Sequence, residues 1–137
     1  MNFRDSNVWL ALLWERHIHS DKARQWFERE GDGQFFFCRF TQLTVLRLLT
    51  TEAILGEDTL TMSAAWALWD KTWADCRISF LAEPEYLESE FRSRARLSSA
   101  SESLGGCIPA GVCGDRWAKL VTFDRALKSR GVDVVVL

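Results

Sequence analysis

The chain has 137 residues and 47% of them are apolar, enough to bury one sizeable core, which excludes an intrinsically disordered protein. A formal net charge of −2 excludes a broadly basic surface of the kind that grips nucleic acid by charge alone, so any phosphate contact needs a local basic patch or a bound metal ion.

Residues 2–5 read as a short strand. Asn7 can cap a helix through VWLALLWER, with Trp9, Leu12 and Leu13 on one face. HIHS breaks that pattern. Ser20 then opens a second helix, DKARQWFERE, with Ala23, Trp26 and Phe27 as its apolar stripe, and GDG stops it. QFFFCRF is a short apolar run between a turn and a polar threonine, the pattern of a buried central strand. TQLTVLRLLT has Leu43, Leu46 and Leu49 at helical spacing. GEDTLTMS reads as a loop in which Ser63 caps the next helix, AAWALWDKTWAD, whose stripe is Trp66, Trp69 and Trp73. RISFL is a strand. EPEYLESEFRSRARL is a helix opening at Pro84, with acids in its first turn and arginines in its last, which suits the helix dipole. KLVTFD is a strand, RALKS one helical turn and VDVVVL a final strand.

Short apolar strands alternating with helices predict an α/β layer fold in one domain spanning 1–137, with a mainly parallel sheet covered on both faces. Ligands of such sheets sit at the carboxyl ends of the strands, and Asp5 and Asp124 both fall there. Two readings of this pair stay open: helix caps, or oxygen ligands for Mg²⁺ or Mn²⁺ that would activate water against a phosphodiester.

Other groupings carry less. Cys107 and Cys113 do not have the spacing of a structural zinc pair, Cys38 falls in a core strand and Cys76 has no mate, so neither zinc nor a redox pair is expected. His17 and His19 read as exposed loop and capping residues. Gly105-Gly106 lacks the pattern of a phosphate-binding loop. The tryptophan stripe reads as core or self-association face. Arg92, Arg94 and Arg96 either complement a helix dipole or meet phosphates or a partner's acids. The run VWLALLW is too short to span a bilayer, so a cytoplasmic protein with reduced thiols is expected.

The stretches RDSNVWLALLWERHIHSDKARQWFE, FCRFTQLTVLRLLTTEAILG and KLVTFDRAL, in this order and spacing, resemble the PIN-domain family, and more closely the VapC-type toxins of bacterial toxin–antitoxin pairs. The resemblance covers nearly all the chain except 102–118. It implies a three-layer PIN-like fold and a Mg²⁺-dependent endoribonuclease held silent by a cognate antitoxin, as a homodimer in the cytoplasm. It assigns the first and last acids of the site to Asp5 and Asp124. The second acid falls on Gln42, whose amide brings no charge and cannot act as a base. Asp115 is a candidate substitute ligand; Asn7, Arg47 and Thr122 are candidate substrate-binding residues. The third acid should open a helix of the type D-A-Y-L and lands on Gly106. With two acids missing, the alternative is a catalytically impaired scaffold that only binds an antitoxin or itself.

The stretch 106–113, GCIPAGVC, can be encoded so that the +1 frame reads Asp-Ala-Tyr-Leu-Pro-Ala-Phe-Ala, the family's helix. A pair of compensating frameshifts, entering near Glu102 and leaving near Trp117, accounts for the departure. A natural surface loop is the other reading.

Overall fold

In a computed structural model, residues 2–95, 119–125, 127 and 133–137 are described. They build a five-stranded sheet from β1 (Asn2–Arg4), β2 (Phe35–Phe37), β3 (Ile78–Phe80), β4 (Lys119–Thr122) and β5 (Val134–Val136). The spatial order is β3-β2-β1-β4-β5 and every pairing is parallel. The expected parallel α/β layer fold is therefore present, with β1 at the centre. In register, Phe3 lies beside Phe36 and Leu120, and Arg4 beside Val121.

The sheet explains why β2 is apolar throughout. Successive strand side chains point to opposite faces, and here both faces are buried. Phe35 and Phe37 pack with Val8, Trp9, Trp26, Val45, Leu46 and Trp69 on one side; Phe36 and Cys38 join Phe3, Leu81, Leu120 and Leu127 on the other. The first layer is supplied by α1 (Ser6–Leu13), α2 (Ser20–Arg29), α3 (Arg39–Leu49) and α5 (Met62–Trp73); Leu87 of α6 (Leu87–Ala95) packs on the second. Rings lock the first layer together: Trp9 meets Phe37 edge-on at 6.0 Å and Trp69 at 5.8 Å.

Several element ends differ from the expectation for identifiable reasons. The cap of α1 is Asp5, whose carboxylate accepts from the Ser6 amide, and Asn7 lies inside the helix. The helix stops at Leu13 instead of running to Arg16. β2 is only Phe35–Phe37, because Cys38 already precedes the first turn of α3. Leu43 is 56% exposed; the buried stripe of α3 is Thr41, Gln42, Val45, Leu46 and Leu49. A further short helix, α4 (Glu52–Leu55), precedes the expected loop, and a tight turn at Gly56–Asp58 occupies its start. Thr61, not Ser63, caps α5 through a bond from the Ala64 amide at 3.2 Å. Of the tryptophan stripe only Trp69 is buried, while Trp66 and Trp73 are more than a third exposed. α6 begins after Pro84, not at it. The segment 102–118, with Gly106, Cys107, Cys113 and Asp115, lies outside the described residues, as do Arg96 and most of RALKS.

One core residue has no precedent in the apolar pattern. Arg4 is completely buried, its guanidinium carbon 3.6 Å from the centre of Phe35, 4.4 Å from Phe27, 4.7 Å from Trp9 and 5.1 Å from Trp26. Burial first, then the positive Arg77, lowers its pKa to about 8, against Asp75 and Glu30, which favour the charged form.

Candidate functional site

The site grows out of the central strand pair. β1 and β4 run parallel, so the residues that follow both strands emerge at the same edge of the sheet. The Asp5 amide still donates to the Val121 carbonyl at 2.9 Å, which carries the ladder one residue beyond β1. That step puts Asp5 opposite the end of β4, where Thr122 and Asp124 follow.

Four donors converge on the Asp5 carboxylate. Oδ1 accepts from the Ser6 amide at 2.7 Å and the Ser6 hydroxyl at 3.2 Å. Oδ2 accepts from the Thr122 hydroxyl at 2.8 Å and the Asn7 side-chain amide at 3.1 Å. The Thr122 oxygen in turn accepts from the Asp124 backbone amide at 3.0 Å and from Asn7 at 2.9 Å. The Asn7 carbonyl closes the circuit by accepting from the Phe123 amide at 3.3 Å. Thr122, fully buried, is thus the hinge between the two acids.

The electrostatics oppose the hydrogen bonds. Burial raises the Asp5 pKa above its ordinary value; the bonds from Thr122 and Ser6 pull it down, and the nearby negative Asp124 adds a smaller upward push. Asp5, Asn7, Thr122 and Asp124 are therefore gathered into one cluster. Asp5 also acts as the helix cap of α1, one of the two readings left open by the sequence.

Gln42 stands apart from that circuit. It is buried in the first turn of α3, and its side-chain oxygen accepts from the Arg39 guanidinium. Arg47 is exposed towards the other end of α3. The H-x-H pair is closer to the site than expected. His19 stacks on Phe123, centroid to centroid 4.4 Å with planes 19° apart, and His17 lies between His19 and Trp14. Both are half-buried, which corrects the expectation that they are exposed; His19 is the N-cap residue of α2, with no cap bond from its side chain. Burial, then the His19 charge, lowers the His17 pKa. The signal was the motif itself: two rings placed one residue apart in a loop between two helices.

Among the described residues no three His, Cys, Asp or Glu side chains gather closely enough to hold a metal ion. The two acids that do approach are nevertheless the right chemistry for a hard cation. Their near neighbours Thr122 and Asn7 also offer oxygen, and a cation would offset the burial that disfavours charged Asp5. The donor set fits Mg²⁺ or Mn²⁺ as two of its oxygen ligands.

The chain is 36% identical over 133 residues to Ribonuclease VapC41 of Mycobacterium tuberculosis, in strain CDC 1551 / Oshkosh and in strain ATCC 25618 / H37Rv; the match covers 93% of this chain and 91% of the relative. The crystal structure of Mycobacterium tuberculosis VapC20, described as a Sarcin-Ricin loop cleaving toxin, shares its fold with a TM-score of 0.75 at 14% identity, over 96% of each chain. No protein-family model matches the chain.

Proposed function

The chain belongs to the VapC family of PIN-domain ribonuclease toxins, and on that premise we propose that it cleaves RNA at the cluster of Asp5 and Asp124, as the toxin of a toxin–antitoxin pair. The observation that carries the assignment of the site is the Thr122 hydroxyl, bonded at once to the Asp5 carboxylate and the Asp124 amide. We take 1–137 as one PIN-like domain that works in the cytoplasm as a homodimer. Among the described residues, no helix is long and apolar enough to cross a membrane.

Asp5 and Asp124 would hold Mg²⁺ or Mn²⁺. When bound, such an ion supplies a nucleophile at neutral pH and neutralises charge at the scissile phosphodiester. Asp5 is held in one orientation by Ser6, Asn7 and Thr122, so its ligating geometry is set before substrate arrives. Thr122 fixes the backbone at Asp124, and Asn7 fixes it at Phe123. We keep Gln42 as the neutral residue at the position of the family's second acid, and Asn7, Arg47 and Thr122 as candidates for contact with the RNA. Asp115 remains a candidate third ligand from the segment outside the described residues.

Labelled RNA incubated with Mg²⁺, and in parallel with EDTA, tests the proposal. Cleavage with Mg²⁺ that disappears with EDTA and in Asp5→Ala supports it. Equal cleavage by Asp5→Ala and the parent overturns the site, and intact RNA with no Mn²⁺ binding at millimolar levels favours the impaired scaffold. For 102–118 we infer a pair of compensating frameshifts. Codons incompatible with Asp-Ala-Tyr-Leu in the shifted frame would reject that.

A further inference from the structure

The H-x-H loop inverts the usual order of burial. Ile18, its one aliphatic residue, is 88% exposed, while His17 and His19 on either side are half-buried. Burial of apolar surface favours the opposite arrangement. Packing stability therefore does not account for this loop, and local departures of that kind gather at functional positions. The two imidazoles belong to a row of rings. Trp14 meets His17 at 5.8 Å, His17 meets His19 at 5.7 Å, and His19 lies nearly flat on Phe123 at 4.4 Å.

Both ends of the row are anchored. At the outer end, the Asp58 carboxylate accepts from the Trp14 indole and from Arg16, each at 2.8 Å. In the middle, the His19 amide donates to His17 Nδ1 at 3.1 Å, and the His17 amide donates to the Trp14 carbonyl at 3.0 Å. At the inner end, Phe123 packs against the first core layer. Phe123 and Asp124 lie beyond the last residue of β4, so the strand ladder no longer fixes them. Other contacts take its place, among them the Phe123 amide on Asn7, the Asp124 amide on Thr122 and the Phe123 ring on His19. The first two belong to the acid cluster. The third reaches that segment from the loop between α1 and α2.

We propose that His19 is a positioning residue of the nuclease site: its ring, held through His17 and Trp14, clamps Phe123 and thereby fixes the backbone from which the Asp124 carboxylate projects. The inference rests on the assignment of that site to Asp5 and Asp124. Two acids share one ion only if each is held at its ligating position. Asp5 is held by four donors of its own. Asp124 takes its aim from the short segment past β4, where the stacked ring is the brace supplied from outside the acid cluster. The face of the imidazole carries this role and its nitrogens do not, since a stack with planes 19° apart needs a flat ring and no charge.

Three variants of the full chain test it. His19→Ala removes the ring, His19→Phe keeps a ring without nitrogens, and Phe123→Leu removes the partner ring while keeping apolar volume. Labelled RNA is cleaved with Mg²⁺ over a range of RNA concentrations, and hydrogen exchange of the Asp124 amide is followed without metal. In His19→Ala, kcat should fall about tenfold with KM little changed, and exchange at Asp124 should rise about tenfold. Phe123→Leu should show both changes, and His19→Phe should restore most of each. Exchange does not depend on activity, so it decides the matter alone if the parent cleaves no RNA. Parent-like kcat or parent-like exchange in both ring-removing variants would overturn the proposal. A loss in His19→Phe as large as in His19→Ala would overturn it too, because the role would then belong to the imidazole nitrogens. Asp5→Ala separates the two readings. If it cleaves as the parent does, the site assignment fails; an inactive Asp5→Ala beside a fully active His19→Ala rejects the clamp alone. Phe123→Leu acts from the other side of the stack, so the test stands even if His19→Ala disturbs the start of α2.

Discussion

Arg4 and Asp5 are neighbours in sequence and opposites in circumstance. Asp5 carries a charge that meets four hydrogen-bond donors at the open end of the sheet. Arg4 carries a charge that meets four ring faces in the core and, among the described residues, no acceptor. One step along the chain moves a side chain from the packed layer of Trp9 and Phe35 to the ligand edge of a parallel sheet. The difference teaches that a buried charge can be accommodated by directed bonds or by polarisable surface. Only the first arrangement fixes the orientation of the group, and orientation is what a ligand site needs.

Removing either member of the pair tests that contrast, and the largest effect should come from Asp5. In Asp5→Ala, RNA cleavage should fall by more than the roughly 10- to 100-fold typical of losing an outer-shell partner of a metal ligand, as read by initial rates on labelled RNA. Next is Arg4→Met. It replaces an unsatisfied buried cation by an apolar chain of similar length, so stability should rise by about 1–4 kcal/mol in urea unfolding. A loss of stability would instead mean that the rings more than compensate the missing acceptors. Thr122→Val keeps the shape but removes the hydroxyl between the two acids. Its cost should be about 10- to 100-fold in cleavage rate or Mn²⁺ affinity, with the fold intact by circular dichroism.

Two smaller effects sharpen the comparison through pH and packing. The Asp5 pKa is raised in the folded chain from an ordinary value of 3.8. The stability this protonation contributes is fully present below that value and is lost as pH rises through the folded pKa. Without added metal, thermal unfolding of Asp5→Asn and the parent should therefore diverge in the variant's favour between acid and neutral pH. Finally, Arg77 supports the Arg4 side of the sheet, with its guanidinium 4.0 Å from Phe27 and bonded to Asp75. That bond holds the Asp75 pKa at about 2. Arg77→Ala should cost about 1 kcal/mol and let Asp75 titrate closer to the ordinary carboxylate range, readable by NMR titration.

The exposed tryptophans show where one-dimensional reading reached its limit. Trp66, Trp69 and Trp73 have the right spacing for a buried stripe, yet the first and last are partly open. A 3.6-residue period fixes which residues share a face, but how far the neighbouring elements cover that face depends on their packing. The same holds for α3, where Gln42 is buried and Leu43 exposed because α3 presents Val45, Leu46 and Leu49 to α1 and the sheet.

The sequence by itself determined the parallel α/β architecture, since short apolar strands alternating with amphipathic helices have few other ways to bury both faces of a sheet. It also placed Asp5 and Asp124 at one edge of the sheet, because residues that follow parallel strands emerge together there. Tertiary structure alone decided that the hydroxyl of Thr122 ties those two acids together, that the ring of His19 lies on Phe123, and that the charge of Arg4 is enclosed by rings. These depend on register between strands far apart in the chain and on side-chain directions, which no local period encodes.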